Sequence, residues 1–372
     1  MERVLVLGAY GFFGSRISAA LARNPRIELI LAGRDLNKAT ALAYQLGLQA
    51  DRAKALDATD PRFAAQLKKL GIRVLIHTAG PFQQQKYDVA QAAIQASSHY
   101  LDLADGRAFV QGITRLDAAA RAANVSVISG ASSLPALTTA VVDEYRGDFS
   151  RLDSIRIGLS SGALVPGIAT VRGVFSYCGQ PFRVLEGGRP TEVRGWLDTE
   201  LYEFPKPVGA RRLGRCDVPD LDLLVARCPG VKSVSFRAGF ASDTGHKTVE
   251  LLARLVARGS LRSAVPFAKP LYTVGRWMQS LLSDSGAMYV RMEGIGTDGQ
   301  PHDLTWTNIA GDNHGPHIPC GPSIALANKI AAGTVLPVGA MPCVGLLKVD
   351  DILEPLKNLR IREIAPVAQN SY

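Results

Sequence analysis

The sequence lacks the features of a membrane-spanning or secreted protein. None of its uninterrupted apolar runs approaches the ~18 residues that a membrane-spanning helix needs. The N-terminus has no apolar segment followed by a small-residue cleavage site, so we expect no secretory signal. The five cysteines are scattered and contain no CxxC pair, which is typical of free thiols in a reducing compartment. We therefore expect a cytoplasmic protein.

The sequence also lacks a basic run interleaved with aromatic residues, which would mark a nucleic-acid interface. The net charge of +9 comes from basic residues spread along the chain, so we expect no nucleic-acid partner. We interpret the charge as a field that attracts an anionic cofactor or a carboxylate substrate. One stretch, 258–282, mixes basic and large apolar residues. It is compatible with a membrane surface, but such stripes more often form a core or a subunit interface, so we expect no membrane contact.

Residues 3–146 alternate short apolar runs with helical patterns. Strands are predicted at 4–8, 27–33, 52–57, 74–80, 99–105 and 125–131, each followed by a helix. This alternation predicts a parallel sheet with helices on both faces. The predicted fold class is therefore α/β, with a Rossmann doubly wound parallel sheet.

After residue 150 the pattern changes to alternating apolar and polar residues. Gly187-Gly188 and Asp298-Gly299 predict the turns of two hairpins, and 246–259 has the spacing of an amphipathic helix. A second, α+β domain with an antiparallel sheet is therefore expected. The predicted domains are residues 1–148, residues 149–320, and a C-terminal segment, 321–372, that packs back on the first domain.

The stretch VLVLGAYGFFGSRI, residues 4–17, places a GxxGxxG pattern between the first strand and the first helix. A glycine-rich loop at this position binds the pyrophosphate of a dinucleotide. Gly8 permits the tight turn, Gly11 lets backbone N–H groups approach the phosphates, and Gly14 permits close helix–sheet packing. The helix N-terminus adds partial positive charge. The predicted cofactor-binding residues of this loop are Gly8, Tyr10, Gly11, Phe12, Phe13 and Gly14.

The end of the second strand predicts which dinucleotide binds. NAD-preferring folds place Asp or Glu there, whereas this chain has Gly33 and Arg34. An arginine cannot accept a hydrogen bond from a ribose hydroxyl, but its guanidinium suits the 2′-phosphate of NADP. Lys38, one helical turn further on, adds charge, and the neighbouring Asp35 is expected to point away. We therefore predict NADP as the cofactor.

Other strand ends supply the remaining cofactor contacts, because ligands of open parallel sheets bind beyond the C-terminal ends of the strands. The residues after the third strand are expected beside the adenine. Small residues after the fourth strand let the backbone approach the nicotinamide ribose. The predicted residues are Asp57, Ala58, Ala79, Gly80, Pro81 and Phe82.

Several segments, in their order and spacing, resemble the saccharopine dehydrogenase-like oxidoreductases with an NADP-binding domain. They are LGAYGFFG, LAGR, HTAGPFQQQKYDVAQAAI, HYLDLADG and ISGASSLPAL. The match is strongest over residues 1–145; in the second domain, only GHKTVELLARL and CGPSIALANKIAAG look similar. The resemblance implies a Rossmann domain, an α/β substrate domain, a homodimer and NADPH-linked chemistry. Members of the family reduce or oxidise a C–N bond in an amino-acid adduct such as saccharopine.

Reduction of an imine or a carbonyl needs a proton donor and a group that orients a carboxylate, besides the hydride of the cofactor. Asp105, His246 and His314 are the candidate catalytic residues. Asp105 leaves a strand end that faces the nicotinamide, with an alternative as a helix N-cap. For the histidines the alternatives are capping of a helix and hydrogen bonding to loop backbone. The candidate substrate-binding residues are Arg107, Ser132, Ser133 and Arg237.

Two other chemistries have partial motifs. His314, His317 and Cys320 recur at intervals of three, but prolines interrupt the stretch and no fourth ligand is suitably spaced, so we expect no metal. YEFPK, residues 202–206, matches the Tyr-x-x-x-Lys of short-chain dehydrogenases. Pro205, and Pro207 directly after the motif, forbid the helix that would bring Tyr and Lys together, so we reject this motif.

The sequence thus predicts an NADP-dependent oxidoreductase of the saccharopine dehydrogenase type. It is expected to transfer hydride to or from a C–N or C=O bond of a small amino-acid-like or carboxylate substrate. The alternative is an NADP-binding regulatory or scaffold protein without turnover, because no catalytic pair is unmistakable.

Overall fold

A computed structural model describes residues 1–165 and 167–366. Contacts between Cα atoms divide the chain into two compact units: Met1–Leu137 with His317–Leu356, and Thr138–Pro316 with Lys357–Tyr372. The domain boundaries expected from the sequence stay a prediction, and the end of the expected C-terminal segment, 367–372, lies outside the described residues.

The strands and helices are numbered in chain order. The strands are β1 (Glu2–Leu7), β2 (Ile27–Gly33), β3 (Ala53–Ala55), β4 (Val74–His77), β5 (His99–Asp102), β6 (Ser126–Ser129), β7 (Phe149–Ser160), β8 (Pro181–Glu186), β9 (Arg189–Arg194), β10 (Glu200–Phe204), β11 (Gly209–Arg215), β12 (Ser233–Gly239), β13 (Gly286–Gly296), β14 (Pro301–Ala310), β15 (Gly339–Pro342) and β16 (Ile361–Ile364). The helices are α1 (Gly14–Leu21), α2 (Leu36–Gln45), α3 (Phe63–Lys69), α4 (Asp88–Gln95), α5 (Arg107–Gly112), α6 (Asp117–Ala122), α7 (Thr138–Tyr145), α8 (Ile168–Ser176), α9 (Asp220–Arg227), α10 (Asp243–Ala257), α11 (Ala268–Met278), α12 (Gly321–Ala331) and α13 (Val349–Leu353).

The sheet of the first unit is parallel and has the order β15-β6-β5-β4-β1-β2-β3. The predicted Rossmann sheet is therefore confirmed. The C-terminal strand β15 extends it by pairing with β6 from Gly339↔Ser126 to Pro342↔Ser129. The strand order reverses between β1 and β4, which is where ligands of such sheets bind.

The strands of this sheet are apolar on both faces, as expected for strands that helices cover on two sides. Val4, Leu5 and Val6 of β1 have no exposed surface. Leu5 belongs to the same buried cluster as Phe63 of α3 and Leu75 of β4. Full burial of each such side chain contributes about 1.5–3 kcal/mol, so the core holds the strand ends, and the loops beyond them, in fixed positions.

The sheet of the second unit has the order β10-β11-β12-β7-β13-β14-β16, with β8 beside β12 and β9 beside β8. The hairpins predicted at Gly187-Gly188 and Asp298-Gly299 join β8 to β9 and β13 to β14. The α+β fold expected for this part is confirmed, with one difference. β7 and β12 run parallel, so the sheet is mixed, because the chain returns between them through a long connection that includes α8 and α9.

Among the described residues, none of the helices combines the length and apolar character that a membrane span needs.

Candidate functional site

The loop between β1 and α1 is fixed by close contacts at its glycines. Gly8 has φ +85°, a left-handed value that favours glycine. A Cβ on Gly14 would lie 2.1 Å from the Gly8 carbonyl oxygen and 2.8 Å from Thr78 Oγ1. The N–H of Gly11 donates to the Gly8 carbonyl over 2.8 Å. The N–H of Gly11 therefore closes the turn.

The N-terminus of α1 is available to an anion. Phe13 is its N-cap, and no side chain of the described residues caps the helix there. The Ser15 and Arg16 N–H groups donate to the Gly11 and Phe13 carbonyls, so it is mainly the helix dipole that favours negative charge at this end. Arg16, in the first turn, donates to the Phe12 carbonyl and lies over the Phe12 ring, 4.3 Å from its centroid. This arginine was not predicted from the sequence, and it adds a cation beside the loop.

Tyr10 connects the loop to the end of β2. Its hydroxyl accepts a hydrogen bond from the N–H of Asp35 over 3.0 Å. A Cβ on Gly33 would lie 2.6 Å from the Tyr10 ring, so the ring requires glycine at this position. The predicted loop residue Tyr10 and the predicted strand-end residue Gly33 thus lie in contact.

Of the residues that follow β2, Asp35 caps a helix and Arg34 is an exposed cation. The Asp35 carboxylate accepts the N–H of Lys38 over 3.2 Å as the N-cap of α2 and pairs with the Lys38 ammonium at 3.3 Å. Asp35 is thus engaged with the helix, and the charge of Lys38 is partly compensated. Arg34 is exposed at the end of the strand. This arrangement leaves Arg34 as the better-placed cation of the two predicted for a 2′-phosphate.

Asp57 and Ala58 follow β3 on the same edge of the sheet. The Asp57 carboxylate is exposed and accepts from the Thr59 N–H at 3.0 Å and the Thr59 hydroxyl at 2.8 Å. These bonds, together with the nearby charge of Arg34, lower the pKa of Asp57. Arg34 and Asp57 therefore lie close enough to interact, as their shared edge predicts.

The loop after β4 is held by side chains that the sequence did not single out. The Thr78 hydroxyl donates to the carbonyls of Leu7 (2.9 Å) and Gly8 (3.2 Å), which ties it to the glycine loop. Gln85 donates to the carbonyls of Ala79 (2.8 Å) and Pro81 (3.0 Å). The predicted cofactor residues Ala79, Gly80 and Pro81 are partly or fully exposed in this loop.

Phe82 has a different environment from its neighbours. Its side chain is 5% exposed and meets His77 edge-on, with ring centroids 5.1 Å apart. Burial also lowers the pKa of His77 to about 4. These contacts favour a packing role for Phe82 over the predicted cofactor contact.

Asp102, at the end of β5, is a buried carboxylate that was not predicted from the sequence. Its Oδ1 accepts from the Ala104 N–H (2.9 Å), the Ser129 hydroxyl (2.9 Å) and the Gly130 N–H (2.8 Å). Burial raises the pKa of Asp102 to about 6. The carboxyl group therefore joins the ends of β5 and β6, the two strand ends that carry the predicted substrate residues.

Asp105 lies beyond Asp102 in the same loop. The carboxylate accepts a hydrogen bond from Gln83 Nε2 over 3.0 Å, and burial raises the pKa of Asp105. Gly106, not Asp105, is the N-cap of α5, so the capping alternative does not apply. A half-buried carboxyl group with a raised pKa at a strand end suits a proton donor.

Two of the other residues predicted at these strand ends are buried, and one is partly exposed. Ser132 and Ser133 are 8% and 5% exposed, which favours packing over substrate contact. Arg107 is the first residue of α5 and is partly exposed.

His246, in the second unit, does not have the environment of a proton donor. It lies within α10, is 0% exposed, and packs beside Trp196 with ring centroids 5.6 Å apart. Burial lowers the pKa of His246 to about 4, so the ring is neutral at pH 7. Ser242 caps the helix, so neither the predicted catalytic role nor the capping alternative fits.

Arg237 and His314, also in the second unit, already have partners. The Arg237 guanidinium pairs with Asp198 at 2.9 Å and Glu200 at 3.2 Å, and its side chain is 11% exposed. Two carboxylates thus occupy the group that was predicted to bind a substrate carboxylate. His314 Nδ1 accepts the N–H of Arg360 over 2.9 Å, in keeping with the alternative of a histidine bonded to loop backbone.

The partial motifs for a metal site and for a short-chain dehydrogenase do not form such sites in the described residues. Within the described residues, no group of three or more His, Cys, Asp or Glu side chains could hold a metal ion. Burial raises the pKa of Cys320 to about 12, which disfavours the thiolate that a nucleophile needs. Tyr202 lies in strand β10 and stacks on Tyr289 at 4.0 Å, which agrees with rejection of the Tyr-x-x-x-Lys motif.

The glycine loop, the N-terminus of α1 that follows it and the reversal of strand order between β1 and β4 define a Rossmann dinucleotide-binding domain. Residues 4–128 match the family model of the saccharopine dehydrogenase NADP binding domain. This part of the chain is similar to that domain family, and the predicted resemblance is confirmed.

Solved structures give the same fold. The apo saccharopine dehydrogenase (L-Glu forming) of Saccharomyces cerevisiae superposes with a TM-score of 0.68 and 16% identity, over 98% of this chain and 100% of that chain. Identity at this level shows the fold alone.

Weaker structural matches include two cofactor complexes. GenD2 from gentamicin A biosynthesis, in complex with NAD, has a TM-score of 0.45 and 13% identity over 98% of this chain and 96% of that chain. Biliverdin reductase from Synechocystis, with biliverdin and NADP+, has a TM-score of 0.42 and 11% identity over 95% and 96%. Similarity this low carries no property over to this chain. Comparison with curated proteins gives no match.

Proposed function

We propose that this protein is an NADP-dependent oxidoreductase of the saccharopine dehydrogenase type. It acts on a C–N or C=O bond of a small amino-acid-like or carboxylate substrate. The observation that carries the proposal is the glycine loop: Gly8 at φ +85°, Gly14 in contact with the Gly8 carbonyl, and an α1 N-terminus that no described side chain caps. Such a loop accepts the pyrophosphate of a dinucleotide.

The preference for NADP rests on the end of β2. Asp35 is engaged as the cap of α2, and no acidic side chain precedes it at the strand end. Arg34 is exposed there and offers a guanidinium, which suits a phosphate and cannot accept from a ribose hydroxyl. Tyr10 and Gly33, which touch each other, position this edge beside the glycine loop.

The chain's own residues supply binding and proton transfer, while the bound nicotinamide supplies or accepts the hydride. Asp105, held by Gln83 and with a raised pKa, is proposed to hold the proton that the substrate gains. Arg107 is the proposed partner of a substrate carboxylate. Asp102 fixes the loops that carry Asp105 and Ser132, and so positions them.

Turnover separates this proposal from its alternative, an NADP-binding regulatory or scaffold protein. We expect oxidation of NADPH in the presence of at least one pair from a panel of 2-oxo acids or semialdehydes with amino acids. Asp105→Asn should lower kcat by about 10²–10⁴-fold, since this is the usual contribution of a positioned acid or base. NADPH binding by the variant should not change. Tight NADPH binding without turnover of any pair would favour the regulatory alternative.

We propose that the protein acts in the cytoplasm as a homodimer. All five cysteines are buried and free, as expected of thiols in a reducing compartment. The mass of the protein in solution, measured by sedimentation, would test the dimer.

A further inference from the structure

Helix α11 in the second unit has apolar residues on its inner face. It packs on α8. Ala268 is fully buried, and a Cβ on Gly275 would lie 3.1 Å from Val165 Cγ2. Short 3-10 turns, Val265–Phe267 and Gln279–Leu281, continue the helix at both ends. The inner face therefore accounts for the folding of this segment.

Several other side chains of this segment are large, apolar and exposed. Of the twelve large apolar side chains that are exposed in the described part of the chain, six lie between residues 265 and 281. They are Val265 (37% exposed), Phe267 (38%), Val274 (49%), Trp277 (81%), Met278 (39%) and Leu281 (81%). Scattered apolar residues need no explanation, but a cluster of this kind marks an interaction surface. We call it the 265–281 face.

The charge around this face has one sign. Residues 258–282 contain Arg258, Arg262, Lys269 and Arg276 and no Asp or Glu. Lys269 and Arg276 lie on α11 itself and are exposed. A second copy placed symmetrically on this face would bring like charges together, with no acidic partner from the segment. Anionic lipid headgroups would complement them.

Contrary to the expectation from the sequence, and because this face is exposed, we propose that the 265–281 face binds the surface of a membrane that contains anionic phospholipids. The helix lies in the plane of the interface, with its exposed apolar side chains among the headgroups and acyl chains. Trp277 suits this depth because tryptophan is enriched at membrane interfaces. Lys269 and Arg276 pair with lipid phosphates. The contact is peripheral and does not depend on the proposed dehydrogenase chemistry.

Trp277 also gives a selective readout. The other two tryptophans, Trp196 and Trp306, are 1% and 0% exposed, so lipid contact changes the emission of Trp277 alone. The full-length protein is mixed with vesicles of phosphatidylglycerol and phosphatidylcholine, or of phosphatidylcholine only. We expect flotation with the anionic vesicles, a blue shift of the emission, quenching by brominated acyl chains, and weaker binding at high salt.

Paired variants separate the apolar and the charged contributions. Trp277→Ser with Leu281→Ser should abolish flotation. Lys269→Gln with Arg276→Gln should weaken binding about thirtyfold, because each basic residue near an anionic surface contributes about fivefold. Val335→Ser is the matched control, since Val335 is 90% exposed in the first unit and should bind as the wild type does. Circular dichroism verifies that each variant folds.

Three outcomes would overturn the proposal. The wild type could fail to float with anionic vesicles. The Trp277/Leu281 double variant could bind as well as the wild type. Sedimentation could show a wild-type dimer that this double variant dissociates, in which case a second copy of the chain covers the face.

Discussion

Gly14→Ala should weaken NADPH binding by about a hundredfold, equivalent to about 2.7 kcal/mol. The added Cβ would lie 2.1 Å from the Gly8 carbonyl oxygen, far inside van der Waals contact, so α1 or the loop must move. Displacement of the N–H groups that meet the pyrophosphate loses charge-assisted hydrogen bonds worth about 1.5–3 kcal/mol each. Titration calorimetry measures the change.

Two other glycines provide the comparison. A Cβ on Gly11 would lie 3.0 Å from the same carbonyl, whereas a Cβ on Gly147 meets no atom within 4 Å. Gly11→Ala should therefore weaken binding less than Gly14→Ala, and Gly147→Ala should not affect it. NADPH binding by Gly14→Ala at wild-type affinity would show that this loop is only a structural turn.

Asp102→Ala should lower the free energy of unfolding of the first unit by about 3 kcal/mol or more at pH 4. The substitution leaves the Ala104 N–H, the Gly130 N–H and the Ser129 hydroxyl without their acceptor, and each unsatisfied buried group costs about 1–3 kcal/mol. Urea unfolding, followed by circular dichroism, measures the loss. Asp102→Asn keeps an acceptor oxygen and should lose less.

The same carboxyl group predicts how this loss depends on pH. The pKa of Asp102 is raised to about 6 in the folded state, above the value of about 3.9 in the unfolded chain. The folded state then binds more protons, so the wild type loses stability as pH rises through this interval, by about 3 kcal/mol. The variants lack this loss. Their deficit relative to the wild type should therefore shrink between about pH 4 and pH 6, and a deficit that is constant or grows would contradict the assignment.

The first sheet is predicted well from the sequence because the patterns that identify its strands lie within short stretches of the chain. Apolar runs bounded by glycine and helical patterns identify β1 to β6, and the glycine loop identifies the end of β1. The short strand β15 (Gly339–Pro342) has no such pattern, and its place beside β6 comes from tertiary contacts. Likewise, the alternating pattern of β7 and β12 predicts strands but cannot give their parallel direction.

The candidate site is less predictable because the partners of its charged groups are distant in the chain. The sequence indicates no partner for Arg237, but in the fold its guanidinium pairs with Asp198 and Glu200. The sequence places His246 at the start of a helix, where it was predicted to donate a proton or cap the helix. In the fold, Trp196, fifty residues earlier in the chain, packs against it.

Asp102 was not predicted as a functional residue, although the sequence contains a signal for it. It is the acidic residue of HYLD, inside a strand that the apolar pattern predicts to be buried. Charged residues are almost never fully buried unless they are paired. A carboxylate at the end of a strand that is predicted to be buried therefore indicates that it accepts hydrogen bonds from the neighbouring loops. This signal is present in the sequence.

We propose that this domain binds NADP and selects it through Arg34. The most direct test is titration of the wild type and Arg34→Asp with NADPH and with NADH. We expect the wild type to bind NADPH more tightly than NADH. Arg34→Asp should lose about 1.5–3 kcal/mol of NADPH binding, the worth of a hydrogen bond to a charged group, with little change for NADH. Equal losses for both nucleotides, or equal affinities in the wild type, would contradict the account.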